Sequence, residues 1–149
     1  MPDPGHLPPE ECDITLEAMS AVEGLDTATG LAHVMGDSKL YIKLLLRFIE
    51  LHGQDAVRMG ELLDTSSMGD IKRRVHTLKG VSATLGAVRI ELLCRCLEKE
   101  ILELSSMECI KERLRGPLDE LRVELQGLVD ALDTLRTAKV SDENGECIG

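Results

Sequence analysis

Leucine returns at positions 118, 121, 125, 128, 132 and 135, with spacings that alternate between three and four residues. That period fits one face of an α-helix and no β-strand, because strand side chains change face at every residue. Such a seam runs for about 27 Å at about 1.5 Å per residue and has to be covered by other apolar side chains. A second copy could cover it in a coiled-coil dimer, or further helices of the same chain could do so. Apolar stripes with the same period recur upstream, so one wall of an intramolecular bundle is the expected reading.

The 149 residues include one Tyr, one Phe and no Trp, so the core has to be aliphatic and mainly leucine. Apolar residues make up 43% and charged residues 30%, the profile of a soluble globular domain. With few prolines and recurrent stripes, the expected fold is all-α: an antiparallel up-and-down four-helix bundle with one or more short N-terminal helices. The formal net charge of −10 makes nucleic acid and anionic membrane poor partners on bulk electrostatics. No apolar run approaches the roughly 20 residues needed to cross a bilayer, and "MPDPGHLPPEE" lacks the basic and apolar regions of a secretory signal. A cytoplasmic location is expected. Cysteines stand at 12, 94, 96, 109 and 147, an odd count without a Cys-x-x-Cys pair. Cys94 and Cys96 would diverge by about 200° on a helix, so they read as free thiols rather than metal ligands.

Residues 1–12 read as a flexible leader, 13–140 as a single helical domain and 141–149 as a disordered polar tail. Within the domain, helices are expected at about 16–21, 27–34, 39–52, 54–64, 67–86, 87–104 and 108–138. Ser67 with Asp70 resembles a capping box for the fifth of these, and Gly116-Pro117 can kink or restart the last. The apolar face of the 39–52 helix is read as Tyr41, Leu44, Leu45, Phe48 and Ile49. For the next helix it is Val57, Leu62 and Leu63.

The segment "RRVHTLKGVSATLG" carries the chemistry. On a wheel of about 100° per residue, Lys72, Arg73, Lys79, Gly80 and Ala83 fall within about 60° of His76. Ile71, Val75, Leu78, Val81, Ser82 and Leu85 lie on the other flanks, so His76 points away from the core stripe. His6, His33 and His52 read as ordinary histidines with nothing convergent around them. Gly80 costs about 1 kcal/mol relative to alanine in a helix interior, and its missing side chain leaves room beside the imidazole, unless it serves a tight helix crossing. A neutral imidazole is a good nucleophile near neutral pH, and Lys79, one turn on, can stabilise anionic oxygens brought to it. Residues 70–90 sum to +4 within a chain of −10, a basic patch suited to an anion or an acidic partner. No second His, Cys or carboxylate stands three or four residues from His76, so no metal site is expected there.

The stretch "HTLKGVSATLG" resembles the signature of histidine-containing phosphotransfer (HPt) domains, His-x-x-Lys-Gly followed by small residues and a glycine. Upstream, "GLAHVMGDSKLYIKLLLRFIE" is similar to the start of such domains in bacterial hybrid sensor kinases. The resemblance covers about residues 25–104. It implies that His76 accepts a phosphoryl group from a receiver-domain aspartyl phosphate and passes it to another receiver. It further implies that Lys79 supports the phosphoryl group and Gly80 clears space for it, with Lys72, Arg73 and Ala83 on the docking face. A glutamine on the neighbouring helix often lies near the family's histidine; by ungapped count the matching position holds Glu98. Arg74 stands near the core side of the wheel, where the family has aliphatic residues, and is expected to reach outward along its methylenes.

The implied partners are response-regulator receiver domains, with a parent membrane-anchored hybrid sensor kinase as a possible context. A monomer is expected rather than a homodimer. No cofactor of its own is implied; Mg²⁺ belongs to the partner receiver. A histidine-kinase dimerisation pair is disfavoured, because Thr77 follows the histidine and no proline occurs between 10 and 116. The chain is also short for an ATP-binding domain besides. The remaining alternative is a non-catalytic helical adaptor or dimerisation module built on the leucine seam.

Overall fold

A computed structural model describes residues 14–65, 67–103 and 107–148, at 107–109 and 137–148 by their backbone alone. Helices form at Leu16–Ser20 (α1), Thr27–His33 (α2), Ser38–His52 (α3), Asp55–Asp64 (α4), Met68–Leu85 (α5), Val88–Glu103 (α6) and Met107–Ile148 (α7). Among the described residues there is no strand, only a single bridge between Leu25 and Ala87. The all-α bundle read from the sequence is the fold observed. No helix among the described residues is long and apolar enough to cross a membrane.

Local chemistry sets the starts and stops. Thr15, Asp26 and Asp37 each accept a hydrogen bond from the backbone N–H three residues on, satisfying an otherwise unpaired donor at the first turn of α1, α2 and α3. The expected capping box at α5 does not form. Ser67 makes no side-chain cap and its hydroxyl lies 3.0 Å from that of Thr65, while Asp70 is drawn into an ion pair with Arg73. Gly86 ends α5 in the left-handed conformation, φ +79°. A side chain there would also strike the carbonyl oxygen of Asp26, 2.1 Å from an added Cβ.

Both α3 and α4 pack against α5 and α7, so together they form one wall of the bundle, interrupted at Gly53. The other walls are α5, α6 and α7, packed in that order, with the turn at Gly86 and Ala87 folding α6 back antiparallel along α5. The core is aliphatic, with the chain's two large aromatics, Tyr41 and Phe48, fully inside it. The leucine seam is consumed there: Leu118, Leu121, Leu125, Leu128 and Leu132 are all buried and Leu135 packs at the edge. It is a bundle wall, not a free dimerisation face.

Several sequence expectations are corrected. Leu44 of α3 and Val57 of α4 lie on the outside, and Ile42, Ala56 and Met59 take the core places. The buried stripe of each helix lies one flank round from the expected one, because leucine and valine serve both inside and outside. Pro117 lies inside α7, which continues through it without the restart that Gly116-Pro117 allowed. The carbonyl that its ring displaces belongs to exposed Arg113, where water can satisfy it. The helix runs on to Ile148. The leader 1–12 and Leu104 lie outside the described residues.

Candidate functional site

Helix α5 turns one stripe to the core and leaves the opposite face free. Ile71, Val75, Leu78, Ser82 and Leu85 are buried, while Lys72, Arg73, His76 and Gly80 are exposed, and Lys79 and Ala83 are partly so. The His76 side chain is 77% exposed. The wheel therefore placed every one of these residues on its proper face. An added Cβ on Gly80 would meet no atom within 4 Å, so no helix crosses there and the chain's own packing does not demand the glycine. It simply leaves the surface beside His76 flat.

The site is completed from α6. The α5–α6 turn at Gly86 and Ala87 lies midway between His76 and Glu98, so the antiparallel hairpin carries Glu98 back to the histidine. Glu98 Oε2 lies 3.4 Å from His76 Nδ1, and Lys79 Nζ donates a 2.5 Å hydrogen bond to Glu98 Oε1. Lys79 and Glu98 are each about a quarter exposed, enough to strengthen the pair above a fully solvated one. The Lys79 hydrogen bond, offset in part by desolvation and aided by His76, holds the Glu98 carboxyl below its usual value. Ungapped counting picked out Glu98; it did not reveal the bond to Lys79.

One cleft is lined by the imidazole and a second lies beyond Gly80. The first, of about 230 Å³, lies between α5 and α6 and is lined by Lys72, His76, Glu98, Ile101 and Leu102. The other, of about 350 Å³, lies between α3 and α5, and Gly80, Val81, Thr84, Leu44 and Leu51 help to line it. Leu44, Leu51 and Leu102 are exposed apolar residues that the sequence reading did not assign to this face.

The expected basic patch is narrower than counting charges implied. Arg73 pairs with Asp70, Arg74 with Asp55, Lys79 with Glu98, and Arg89 with Glu23 and Glu124. Lys72 has no acidic partner among the described residues. Arg74 does reach outward from the core side, but toward a specific partner: Asp55 is buried, 3.6 Å from Arg74 and 2.6 Å from His52 Nδ1. His52, read as bland, is thus engaged with a buried carboxylate, and His33 Nδ1 lies 2.7 Å from the Thr84 carbonyl. The signal for the first was local, since His52 and Asp55 stand three residues apart across a helix break. Among the described residues no group of three His, Cys, Asp or Glu side chains is placed to hold a metal ion.

Compared with known families, residues 43–138 match the family model described as Hpt domain. No curated protein and no solved structure matches the chain.

Proposed function

The chain belongs to the Hpt domain family, whose members carry phosphoryl groups in phosphorelays and interact with receiver domains, and on that premise we propose that His76 is the residue phosphorylated. One observation carries the assignment: the His76 ring stands free in solvent on the bundle's flank, with a lysine one turn away and no side chain at Gly80 to obstruct approach. A receiver docks over α5, using Lys72, Arg73, Gly80 and Ala83, and presents its aspartyl phosphate to the ring.

Transfer is then an in-line displacement at phosphorus between an aspartate oxygen and a ring nitrogen. Little covalent machinery is needed from the protein, because positioning and charge stabilisation supply most of the rate. The rigid α5 fixes the imidazole, and Lys79 offers an ammonium to the phosphoryl oxygens. The divalent ion this chemistry uses comes with the receiver, so transfer is a property of the pair. Both phosphorylated partners are reactive, which makes transfer reversible.

The test is direct. Incubation with a phosphorylated cognate receiver labels the protein, and His76→Gln removes the label; a label retained in that variant refutes the site. ATP with Mg²⁺ alone gives no labelling, which separates this reading from an autophosphorylating kinase. The adaptor alternative gains nothing from the structure, since the seam it relied on is buried.

A further inference from the structure

Resting on the reading that His76 carries the phosphoryl group, we infer that Glu98 makes phospho-His76 a short-lived intermediate, holding the proton on Nδ1 and opposing the phosphoryl charge so that onward transfer is favoured. Glu98 touches both functional groups of the site at once, with one oxygen 3.4 Å from His76 Nδ1 and the other 2.5 Å from Lys79 Nζ.

An ionised carboxylate only accepts hydrogen bonds. Its place beside Nδ1 therefore assigns the proton to Nδ1 and the free lone pair to Nε2, which becomes the attacking atom. In the first transfer the Nε2 lone pair forms the N–P bond. The P–O bond to the donor receiver's aspartate breaks, and its electron pair leaves on that carboxylate. No proton moves, so the ring becomes an imidazolium with the phosphoryl group on Nε2 and the proton still on Nδ1. In the second transfer a carboxylate oxygen of the next receiver attacks phosphorus, and the N–P pair returns to Nε2. The departing group is then neutral imidazole. If Nδ1 had lost its proton, the departing group would be imidazolate, a much stronger base that leaves far less readily.

A negative charge on the Nδ1 side keeps that proton in place to higher pH. A neutral amide at the same position could share the hydrogen bond but not the charge. Glu98 also engages the Lys79 ammonium in the unphosphorylated protein, so an arriving phosphoryl group competes with a carboxylate for the same cation. Both effects shorten the stay of the phosphoryl group.

The charged surroundings of the ring are limited. Lys72 and Lys79 come from α5 and Glu98 from α6. Arg47 and His52 of α3 line the separate groove beyond Gly80, Asp55 of α4 is engaged by Arg74 and His52, and His33 of α2 meets the Thr84 carbonyl.

The experiment uses the full chain with Glu98→Gln, labelled from a phosphorylated receiver and then separated from it. The expected result is a phospho-His76 half-life and an equilibrium labelled fraction each raised about three- to tenfold, the size of one partly screened charge at this range. The pH above which decay slows also falls in the variant, a change that a merely structural role would not produce. Glu98→Ala, which removes both contacts, shifts decay the same way. Equal or faster decay and an unmoved pH profile, with His76 labelled in both proteins, overturn the role of Glu98 and leave the phosphotransfer reading standing. Failure of both proteins to label overturns that reading and this inference together.

Discussion

The hydroxyl of Tyr41 donates a 2.7 Å hydrogen bond to the carbonyl of Leu85, inside the protein at the last residue of α5. That carbonyl is one of those a helix end leaves without an internal partner. The tyrosine ring also fills the place a side chain at Gly30 would take, 2.2 Å from an added Cβ, so α2, α3 and α5 meet at this one point. Burial pushes the phenol up to about 12, and it stays a donor across the physiological range. Tyr41→Phe keeps the ring and orphans the carbonyl. It is expected to cost about 1–2 kcal/mol, read as a lower urea midpoint at unchanged slope.

Among the described residues Asp55 is the buried charge of the bundle. It stands in the first turn of α4, where the helix dipole favours an anion, and it faces His52, Arg74 and, at 3.8 Å, Arg58. Removing the carboxylate leaves these groups without their shared partner. Asp55→Ala is expected to destabilise by about 2–4 kcal/mol, and His52→Gln by about 1 kcal/mol. Chemical unfolding of the two variants ranks them, and a smaller loss for Asp55→Ala than for His52→Gln would refute the shared-partner account.

These two contacts mark where the sequence stopped being readable. Helical period found every helix, and the wheel put His76, Lys72, Arg73 and Gly80 outside and Val75 and Leu78 inside, because those placements depend only on geometry within α5. Contacts between helices depend on how far one slides along another. Lys79 with Glu98, Tyr41 with Leu85 and Arg74 with Asp55 are separated by 19 or more residues in the chain, and no local pattern fixes them. Burial of Leu44 against Leu45 failed for a related reason: both are leucine, and only the packed neighbour decides which one is covered. The Ser67 capping box failed because the Ser67 hydroxyl faces Thr65, its backbone N–H donates to the Leu62 carbonyl, and Asp70 pairs with Arg73.

The Lys79–Glu98 pair gives the protein a defined acid sensitivity. The folded Glu98 carboxyl titrates below its ordinary value of 4.5, so the unfolded chain takes up this proton first. The pair's contribution is therefore complete above the unfolded value and is lost as pH falls through the folded one. Stability of the wild type and of Glu98→Gln, compared by urea unfolding, is expected to differ at neutral pH and to converge as pH falls below the ordinary carboxylate value and through the lowered folded one. A difference that persists at the acid end would show that Glu98 stabilises by packing instead.

Cys94 and Cys96 give a chemical check on how α6 is rotated. Cys94 lies in the core with its thiol pushed up to about 12, mainly by burial and then by the charge of Glu98, whereas Cys96 is exposed. Only the thiolate is nucleophilic. A brief treatment with iodoacetamide at neutral pH, followed by peptide mapping, is expected to modify Cys96 and spare Cys94 until the protein unfolds. Equal labelling of the two in the native protein would mean that α6 presents a different face, and with it a different position for Glu98.

Gly80 separates the needs of the fold from those of a partner. A glycine in mid-helix sacrifices backbone entropy, and here nothing within 4 Å would clash with a methyl group. By the chain's own physics alanine is the better residue, and Gly80→Ala is expected to raise stability by about 0.5–1 kcal/mol. A receiver that lays its active site over His76 meets the added methyl group at close range, and a longer side chain more so. Phosphotransfer is therefore expected to fall modestly in Gly80→Ala and by at least about tenfold in Gly80→Gln, the loss that about 1.4 kcal/mol of obstruction produces. Stability that rises while transfer falls identifies a glycine kept for something outside the chain. If transfer to both variants matches the wild type, the surface next to Gly80 is not where the receiver docks.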